Sequence, residues 1–267
     1  MSSPIALITG GSSGIGLAVS EKLLDRGYQV YSVSRNPARG TKNRYFSPLE
    51  LDLCNIEKVG SFCDSFLEEY GVPDLLINNA GSGAFYEWST FPDEEIISQI
   101  NLLFTSAIVI CRKFAPRMQV ENKGIILNLS SLATLYPLPY MPLYNAGKSA
   151  LSSFTESMVL EHTNYPKFID FRMGDVRTNF NQVASMQSPQ THSPKMMRAW
   201  QVIEWQLDKS PTPKVAAVQI LKAIDRNRHG RFYGGGFFHR HILPQVRRLL
   251  ATSMLCFFLK AYYQLTK

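Results

Sequence analysis

Tyr144 and Lys148 are the side chains of this sequence best suited to acid–base chemistry, because they lie four residues apart. On a helix, residues i and i+4 share one face, so the phenol and the ammonium would lie side by side. The pKa of a phenol is about 10, and a neighbouring ammonium lowers it. Ser131 precedes this pair at the end of an apolar run, and its hydroxyl can hydrogen-bond a carbonyl oxygen. Together these groups can exchange a proton with the oxygen of a ketone or an alcohol.

A glycine-rich turn lies between a strand-like run, residues 4–9, and a helix-like run, residues 14–26. Glycines let the backbone turn tightly and approach a ligand, and a helix N-terminus offers free N–H groups and the positive end of a dipole. The spacing differs from the GxGxxG fingerprint, and a plain strand-to-helix turn is the alternative. We predict that a dinucleotide pyrophosphate binds at Gly10, Ser12, Ser13, Gly14, Ile15 and Gly16.

The residue after the second strand-like run indicates which dinucleotide fits. An enzyme that uses NAD usually has an acid there to hold the ribose 2′-hydroxyl. This sequence has no acid in the segment 33–36, and Arg35 follows the strand. A guanidinium pairs well with a 2′-phosphate, which a carboxylate would repel. NADP(H) is therefore the predicted cofactor, and the alternative is that Arg35 is a solvated loop charge.

Strand-like and helix-like runs alternate along the chain. The predicted strands are residues 4–9, 28–34, 45–51, 74–77, 124–129, 168–173 and 231–233. The predicted helices are residues 14–26, 55–70, 93–119, 142–164 and 213–226. This alternation, with solidly apolar strands, predicts an α/β fold with a doubly wound parallel sheet and helices on both faces. We expect one catalytic domain over residues 1–236, followed by a tail over residues 237–267.

The composition fits a folded domain, with 45% hydrophobic and 18% charged residues. The four cysteines are scattered singly, so neither a metal site nor a disulfide is predicted. This cysteine usage, and the absence of room for a signal peptide before residue 4, favour the cytoplasm. Residues 222–267 carry nine Lys or Arg and one acid, and the rest of the chain has a net charge of −1. The basic excess adjoins an apolar stretch, so a nucleic-acid partner is not expected.

The combined motifs resemble those of the short-chain dehydrogenase/reductase family. Residues 9–16 match its TGxxxGIG loop, and Ser131, Tyr144 and Lys148 match its Ser-x12-Tyr-x3-Lys set. A YxxxK pair alone is more often an exposed helical pair, but the set behind such a loop is far more specific. The resemblance covers residues 4–234. It implies hydride transfer between NADP(H) and a ketone or an alcohol, with Ser131 and Tyr144 holding the substrate oxygen and Lys148 lowering the tyrosine pKa.

The resemblance also implies further site residues. Asn101 would complete a proton relay with Lys148 through water. The implied cofactor contacts outside the glycine loop are Asp52 and Leu53 at the adenine, Asn79, Ala80 and Gly81 along the cofactor, Tyr144 and Lys148, and Val176 and Thr178 at the nicotinamide. An N-cap for the helix at 55–70 is the alternative role of Asp52. The sequence departs from the family at Met173-Gly174, where Pro-Gly is usual, and at Gly147, where Ser is usual.

Residues 178–210 fall where the family has its substrate loop. They contain several adaptable apolar side chains: Met186, Met196, Met197, Trp200 and Trp205. Such side chains predict a lipophilic substrate, such as a lipid, a steroid, a retinoid or a 3-oxoacyl compound. The alternative is that the two tryptophans only pack a helix onto the domain.

The tail contains an apolar stretch, residues 249–259, that is too short to span a bilayer, which needs about 20 residues. Basic residues precede it at Arg240, His241, Arg247 and Arg248. A helix of this kind can lie in a membrane interface, so peripheral membrane association through residues 240–267 is one prediction. The other is that the helix packs on its own domain or on a dimer partner.

Two other functions use the same features. A regulator that senses NADP(H) would share the fold, but such proteins typically lose the Tyr/Lys pair. A membrane-attached scaffold would depend on the basic tail alone. The resemblance also implies a homodimer or a homotetramer formed through the helices at 93–119 and 142–164.

Overall fold

A parallel sheet of seven strands forms the centre of the computed structural model, which describes residues 3–36, 40–178, 180, 185–186 and 192–266. The order across the sheet is β3-β2-β1-β4-β6-β7-β9. Two short segments, β5 (Ala84–Phe85) and β8 (Ser185–Met186), pair separately. The sheet strands are β1 (Ile5–Thr9), β2 (Gln29–Ser34), β3 (Phe46–Glu50), β4 (Leu75–Asn78), β6 (Ile125–Ser131), β7 (Lys167–Met173) and β9 (Gly230–Tyr233).

Helices cover both faces of the sheet, as the alternation predicted. They are α1 (Gly14–Leu24), α2 (Ile56–Tyr70), α3 (Asp93–Ile100), α4 (Ser106–Val120), α5 (Pro142–Glu161), α6 (Pro194–Asp208), α7 (Pro213–Ile224), α8 (Leu243–Leu249) and α9 (Thr252–Tyr262). One core lies between the sheet and α1 with α7, and a second lies under α2, α4 and α5. The predicted doubly wound fold is confirmed. Because the strand order reverses at β1 and β4, a crevice opens at their carboxyl ends, where such folds bind ligands.

The predicted helix over residues 93–119 is interrupted, which corrects the sequence prediction. Between α3 and α4, a π-helical turn spans Asn101–Thr105, and the Ser106 N–H donates to the Asn101 carbonyl across it. Among the described residues, only the stretch Asp93–Val120 is long and apolar enough to cross a membrane, by length and composition alone. That is weak support for a span, since α4 buries Phe114 and Met118 in the second core.

Helix α6 was missed in the sequence, where residues 178–210 had no clear period. Pro194 begins the helix, and the Ser193 hydroxyl accepts the Met196 N–H at its N-terminus. Its buried side chains are few, and the bulky Trp205 is exposed, which weakens the apolar pattern. Residues 179, 181–184 and 187–191 of the predicted substrate loop lie outside the described residues.

The tail contains two helices, whereas the sequence predicted one over residues 249–259. Leu249 ends α8, and the backbone at Leu250 and Ala251 is extended before α9 begins. Helix α9 continues past Lys260 to Tyr262, directly before the buried Tyr263.

Candidate active site

The glycine loop follows β1 and opens α1, as predicted. Gly10 and Gly14 have φ of 69° and 52°, in the left-handed region that favours glycine. A Cβ at Gly16 would lie 2.2 Å from the Gly10 carbonyl oxygen, so only glycine fits there. The Gly10 N–H donates to the Val33 carbonyl at 2.7 Å, which ties the loop to the end of β2.

The N-terminus of α1 is suited to an anion. Ser13 is its N-cap, and within the described residues its side chain makes no capping hydrogen bond and the first turn contains no acid. The first N–H groups and the positive end of the helix dipole therefore point toward the crevice. Thr178 lies over this loop, with its methyl carbon 3.5 Å from the position of a Cβ on Gly14. These residues form a turn suited to an anion, and the binding of a pyrophosphate there stays a prediction.

The segment after β4 is tied to the glycine loop by hydrogen bonds. The Asn79 side-chain amide donates to the carbonyls of Thr9 and Gly10, at 2.8 and 3.2 Å. The Thr9 hydroxyl accepts the N–H groups of Asn79 and Ala80, at 3.0 and 3.1 Å. Gly81 follows, and a Cβ there would lie 3.4 Å from the Lys148 ammonium. The structure thus brings this segment between the glycine loop and the catalytic candidates.

The predicted adenine end lies at the carboxyl ends of β2 and β3. Arg35 is exposed directly after β2. The Asp52 carboxylate accepts the Cys54 N–H at 3.0 Å, and Leu53 is buried. The N-cap of α2 is Asn55, whose side chain accepts the Lys58 N–H. The alternative that Asp52 caps this helix is therefore wrong, and its carboxylate stays at the rim of the crevice.

Charges from both sides act on one thiol at this end. Burial raises the pKa of the Cys54 thiol. The charge of Asp52 also raises this pKa and the charge of Arg35 lowers it, each by less than burial does. Val176 is buried in the first core, beyond the end of β7.

Ser131 and Tyr144 lie on adjacent elements although twelve residues separate them. Ser131 ends β6, and its hydroxyl accepts the Ala133 N–H at 3.1 Å. Pro142 begins α5, which places Tyr144 in its first turn. Burial raises the pKa of Tyr144, whereas a hydrogen bond with Ser131 lowers it and the charge of Asp175 raises it. The phenol is therefore protonated at neutral pH, which is the form that donates a proton.

Lys148 is buried, and its ammonium donates to the Leu129 carbonyl at 2.7 Å. Burial lowers the pKa of Lys148 to about 8. The lowering of the Tyr144 pKa by Lys148 that the resemblance implied stays a prediction. The Leu129 carbonyl holds the ammonium beside Gly81.

Asn101 lies at the π-helical turn, where its side-chain amide donates to the Cys54 carbonyl at 3.1 Å. Leu103 in the same turn packs against α5. A Cβ at Gly147 would lie 2.7 Å from the Leu103 Cβ, so this close packing explains glycine where the family usually has serine. The water-mediated relay between Asn101 and Lys148 stays a prediction.

The loop that follows Met173-Gly174 has a defined path over the residues described. The Gly174 N–H donates to the Gly234 carbonyl at 3.1 Å, and the Arg177 N–H donates to the Pro211 carbonyl at 2.9 Å. A Cβ at Gly174 would lie 3.0 Å from the His239 Cβ. The departure from Pro-Gly therefore leaves the segment close to the catalytic edge of the sheet and lets the tail pack against it.

An apolar cluster surrounds one side of Tyr144. The Phe180 ring meets the Tyr144 ring edge to face, with centroids 5.4 Å apart. Trp200 packs on Phe85 with centroids 4.6 Å apart, whereas Trp205 is 54% exposed. The sequence therefore predicted Trp200 and Met196 as part of an apolar site but missed other members, which are far apart in the chain: Phe85, Leu138, Tyr140, Met141, Phe180 and Tyr263.

The tail covers this cluster. Tyr263 is buried in it, and Leu259 and Leu265 pack against it. The Tyr136 hydroxyl donates to the Leu243 carbonyl at 2.7 Å, which attaches α8 to the loop after β6. The expectation that the tail packs on its own domain is thus met for this part. Other apolar side chains of the tail are exposed: Phe237, Phe238, Leu249, Met254, Phe257 and Phe258.

A buried charge network supports the strands behind Ser131. The Asp170 carboxylate on β7 accepts the hydroxyls of Ser130 and Ser152 and the Arg172 guanidinium. Asp170 and Arg172 are 1% and 7% exposed. The network joins β6, β7 and α5, the three elements that position the catalytic candidates. Within the residues described, no group of three or more His, Cys, Asp or Glu could hold a metal ion.

Comparisons with known proteins add to this geometry. Residues 4–188 match the sequence profile of a family described as short chain dehydrogenase. A 3-ketodihydrosphingosine reductase of Bacteroides thetaiotaomicron is 28% identical over 258 residues, which are 95% of this chain and 93% of that protein. A short-chain dehydrogenase from Streptomyces avermitilis has a similar structure, with a TM-score of 0.80 and 24% identity over 93% of this chain and 95% of that one. A metagenomic short-chain oxidoreductase in complex with NADP gives a TM-score of 0.55 and 29% identity, over 59% and 76% of the two chains.

Proposed function

The chain belongs to the short-chain dehydrogenase family, and from that premise we propose that this oxidoreductase interconverts a lipophilic ketone or aldehyde and its alcohol with NADP(H). The observation that carries the proposal is the placement of Ser131 at the end of β6 and Tyr144 in the first turn of α5, beside an apolar cluster and at the edge that holds the glycine loop. A screen of NADPH consumption with steroid, retinal, 3-oxoacyl and sphingoid ketones tests it. Turnover with none of these carbonyl compounds would contradict it.

The proposed roles follow from the contacts. When bound, NADP(H) supplies or accepts the hydride. Tyr144 donates a proton to the carbonyl oxygen during reduction, and Ser131 hydrogen-bonds that oxygen and orients it. Lys148 and Asn101 hold the proton path to the crevice. The glycine loop, with Asp52, Leu53 and the segment 79–81, binds the dinucleotide, and Val176 and Thr178 border its nicotinamide end.

Arg35 supports NADP(H) over NAD(H), because it is exposed directly after β2 and a guanidinium pairs well with a ribose 2′-phosphate. We expect Arg35→Ala to weaken NADPH binding about 10- to 100-fold, the loss typical of a hydrogen bond to a charged group. NADH binding should hardly change. Fluorescence titration with each nucleotide measures both affinities.

Arg44→Ala is a matched control for the cofactor experiment. Arg44 is also exposed, but it precedes β3 and so lies at the opposite edge of the sheet. Its replacement should leave both affinities as they are. Equal losses of NADPH and NADH in Arg35→Ala would refute the assigned preference.

Two observations support a lipophilic substrate, in addition to the apolar cluster around Tyr144. The relative from Bacteroides thetaiotaomicron is named a 3-ketodihydrosphingosine reductase, which makes a lipid ketone the first candidate. The cluster includes Met196 and Trp200, from the segment predicted as the substrate loop. Their adaptable and aromatic surfaces suit a long hydrocarbon chain.

We also propose that residues 237–267 form a distinct segment that attaches a cytoplasmic enzyme to an anionic membrane surface. Phe257 and Phe258 are 66% and 52% exposed on α9, and basic side chains lie on α8 close to them in sequence. An exposed apolar face flanked by Arg and Lys is typical of interfacial helices. The described residues thus have one tail face docked on the domain and another available to lipid.

Replacement of the exposed aromatics should disrupt this attachment. In co-sedimentation with phosphatidylserine-containing liposomes, Phe257→Asp/Phe258→Asp should bind at least about tenfold more weakly, since each phenylalanine loses its burial in lipid. Val120→Asp is the control, because Val120 is 85% exposed on α4. Equal binding of the wild type and the double variant would remove α9 as an anchor.

A homodimer or a homotetramer fits two exposed apolar side chains on the helices that the resemblance implies. Ile97 on α3 and Leu160 on α5 are 64% and 85% exposed. Burial of such residues between subunits would stabilise an oligomer. A monomer mass in sedimentation velocity would contradict this part of the proposal.

A further inference from the structure

Asp175 is an acid at the catalytic edge of the sheet that has no part in the chemistry described above. It lies two residues beyond Met173, which pairs with Ser131 across β6 and β7. Val176, the next residue, is proposed to border the nicotinamide end of the cofactor. The chain therefore places a carboxylate beside the position of the reacting carbonyl.

The surroundings of Asp175 come from three other parts of the chain. His239 in the tail approaches it, with Nε2 3.5 Å from a carboxylate oxygen. Burial raises the pKa values of Tyr144 on α5 and of Tyr262 and Tyr263 at the end of α9. The charge of Asp175 raises each of these pKa values further, by less than burial does. The Asp175 carboxylate therefore faces the tail at His239 and follows the strand end that pairs with Ser131.

The Asp175 carboxylate is partly accessible to a ligand. The Asp175 side chain is 34% exposed, although burial raises its pKa. The contact with His239 is longer than a charge-assisted hydrogen bond, which is about 2.7–2.9 Å. Within the described part of the chain, no lysine or arginine forms an ion pair with Asp175. Partial burial of a carboxylate costs free energy unless a cation or a hydrogen-bond donor pairs with it.

A protonated amine supplies what this carboxylate lacks. Steroid, retinoid and 3-oxoacyl compounds are neutral next to the carbonyl, and they would leave the Asp175 carboxylate with only the long contact to His239 among its described ion pairs. An ammonium on the carbon next to the carbonyl would lie near Asp175 when Tyr144 and Ser131 hold the carbonyl oxygen. The alkyl chain would then extend into the cluster that contains Phe85, Phe180 and Trp200.

We propose that Asp175 binds a protonated amine next to the reacting carbonyl, so that the preferred substrate is a long-chain α-amino ketone. This inference rests on the proposed function, since it names the substrate class of the same site. Asp175 is a specificity-determining residue in this view, and it takes no proton in the reaction. His239 faces the same carboxylate and helps to position it.

The test compares a long-chain 2-amino-3-ketone with the same ketone without the amine, both in detergent micelles with NADPH. We expect the wild type to show a kcat/KM about 10- to 100-fold higher for the amino ketone, the value of one hydrogen bond to a charged group. Asp175→Asn should lose this preference, so that its kcat/KM values for the two ketones become similar. Asp25→Asn is the control, since Asp25 is exposed beyond α1 at the opposite edge of the sheet, and it should keep the preference.

A second measurement uses only the wild type, so it does not depend on how a variant folds. A long-chain primary amine should inhibit reduction of the amine-free ketone at a concentration at least tenfold lower than the matching alcohol, by the same interaction. Equal inhibition, or equal kcat/KM values for the two ketones, would overturn the inference and leave the reductase function standing. Reduction of neither ketone would overturn both.

Discussion

Replacement of Tyr144 by phenylalanine is expected to lower the rate of ketone reduction by about 10²- to 10⁴-fold, the usual contribution of a general acid. The substitution removes only the hydroxyl that contacts Ser131, and the ring keeps its contact with Phe180. NADPH affinity and thermal stability should therefore change little. Stopped-flow measurement of NADPH oxidation, under saturating cofactor, gives the rate.

The pH dependence of the wild type provides a second readout of the same chemistry. Burial lowers the pKa of Lys148 to about 8, so the ammonium is present below that pH and is lost above it. The pKa of Tyr144 is raised, so its phenol is still protonated in this range. Reduction should thus slow as the pH rises past about 8, through loss of the Lys148 charge. The residual activity of Tyr144→Phe should lack this dependence.

Tyr45→Phe is the matched control for Tyr144→Phe. Tyr45 is 41% exposed, and its hydroxyl accepts only the Arg44 guanidinium among its described hydrogen bonds. Its loss should leave turnover unchanged. Full turnover in Tyr144→Phe would exclude this phenol as the proton donor, and a parallel loss in both variants would point to folding.

Replacement of Asp170 by alanine should reduce the free energy of unfolding by about 3–5 kcal/mol. The substitution removes the acceptor of Ser130, Ser152 and Arg172, all of which are buried. Burial of an unpaired polar or charged group is the cause of the loss. Urea unfolding followed by tryptophan fluorescence measures it, with equal m-values as the check on two-state behaviour.

A surface pair provides the comparison for this network. Arg26 and Asp225 form an ion pair at 2.7 Å with side chains that are 41% and 50% exposed. Asp225→Asn should therefore cost less than about 1 kcal/mol, because water screens the pair and solvates either partner alone. Similar losses for Asp170→Ala and Asp225→Asn would show that the Asp170 network adds no more than a surface contact.

The dependence of the catalytic elements on Asp170 has a further consequence. The network joins β6, β7 and α5, which hold Ser131 and Tyr144 in contact. In the unfolding experiment, activity should be lost in the same transition as the fluorescence signal. The stability of the fold and the geometry of the site are thus supported by the same buried charges.

The fold could be predicted from the sequence because its signals are local. Solidly apolar runs alternate with helical ones, and they indicated the seven strands and the order of layers. The departures occur where tertiary contacts outweigh the local pattern. The π-helical turn at Asn101 and the break at Leu250 interrupt helices that the sequence predicted as continuous. Helix α6 was missed because its few buried positions are mixed with exposed apolar ones.

The sequence by itself determined the residues that could do the chemistry. The glycine loop and the pair Tyr144 and Lys148 depend on spacing within one turn or one helix, so their arrangement follows from short stretches of chain. Ser131 joins them because it ends the strand next to that helix. Spacing also indicated Arg35, since it comes directly after β2.

Only the tertiary structure decided what surrounds that pair. Lys148 donates to a strand carbonyl, and the Tyr144 ring meets Phe180 edge to face. Tyr263 covers the apolar cluster although it is more than a hundred residues away along the chain. These contacts join distant segments whose meeting depends on how the sheet and its helices pack, and no local pattern encodes that packing. The sequence therefore identifies the residues that could do the chemistry. The contacts that, in our proposal, select the substrate form only in the folded chain.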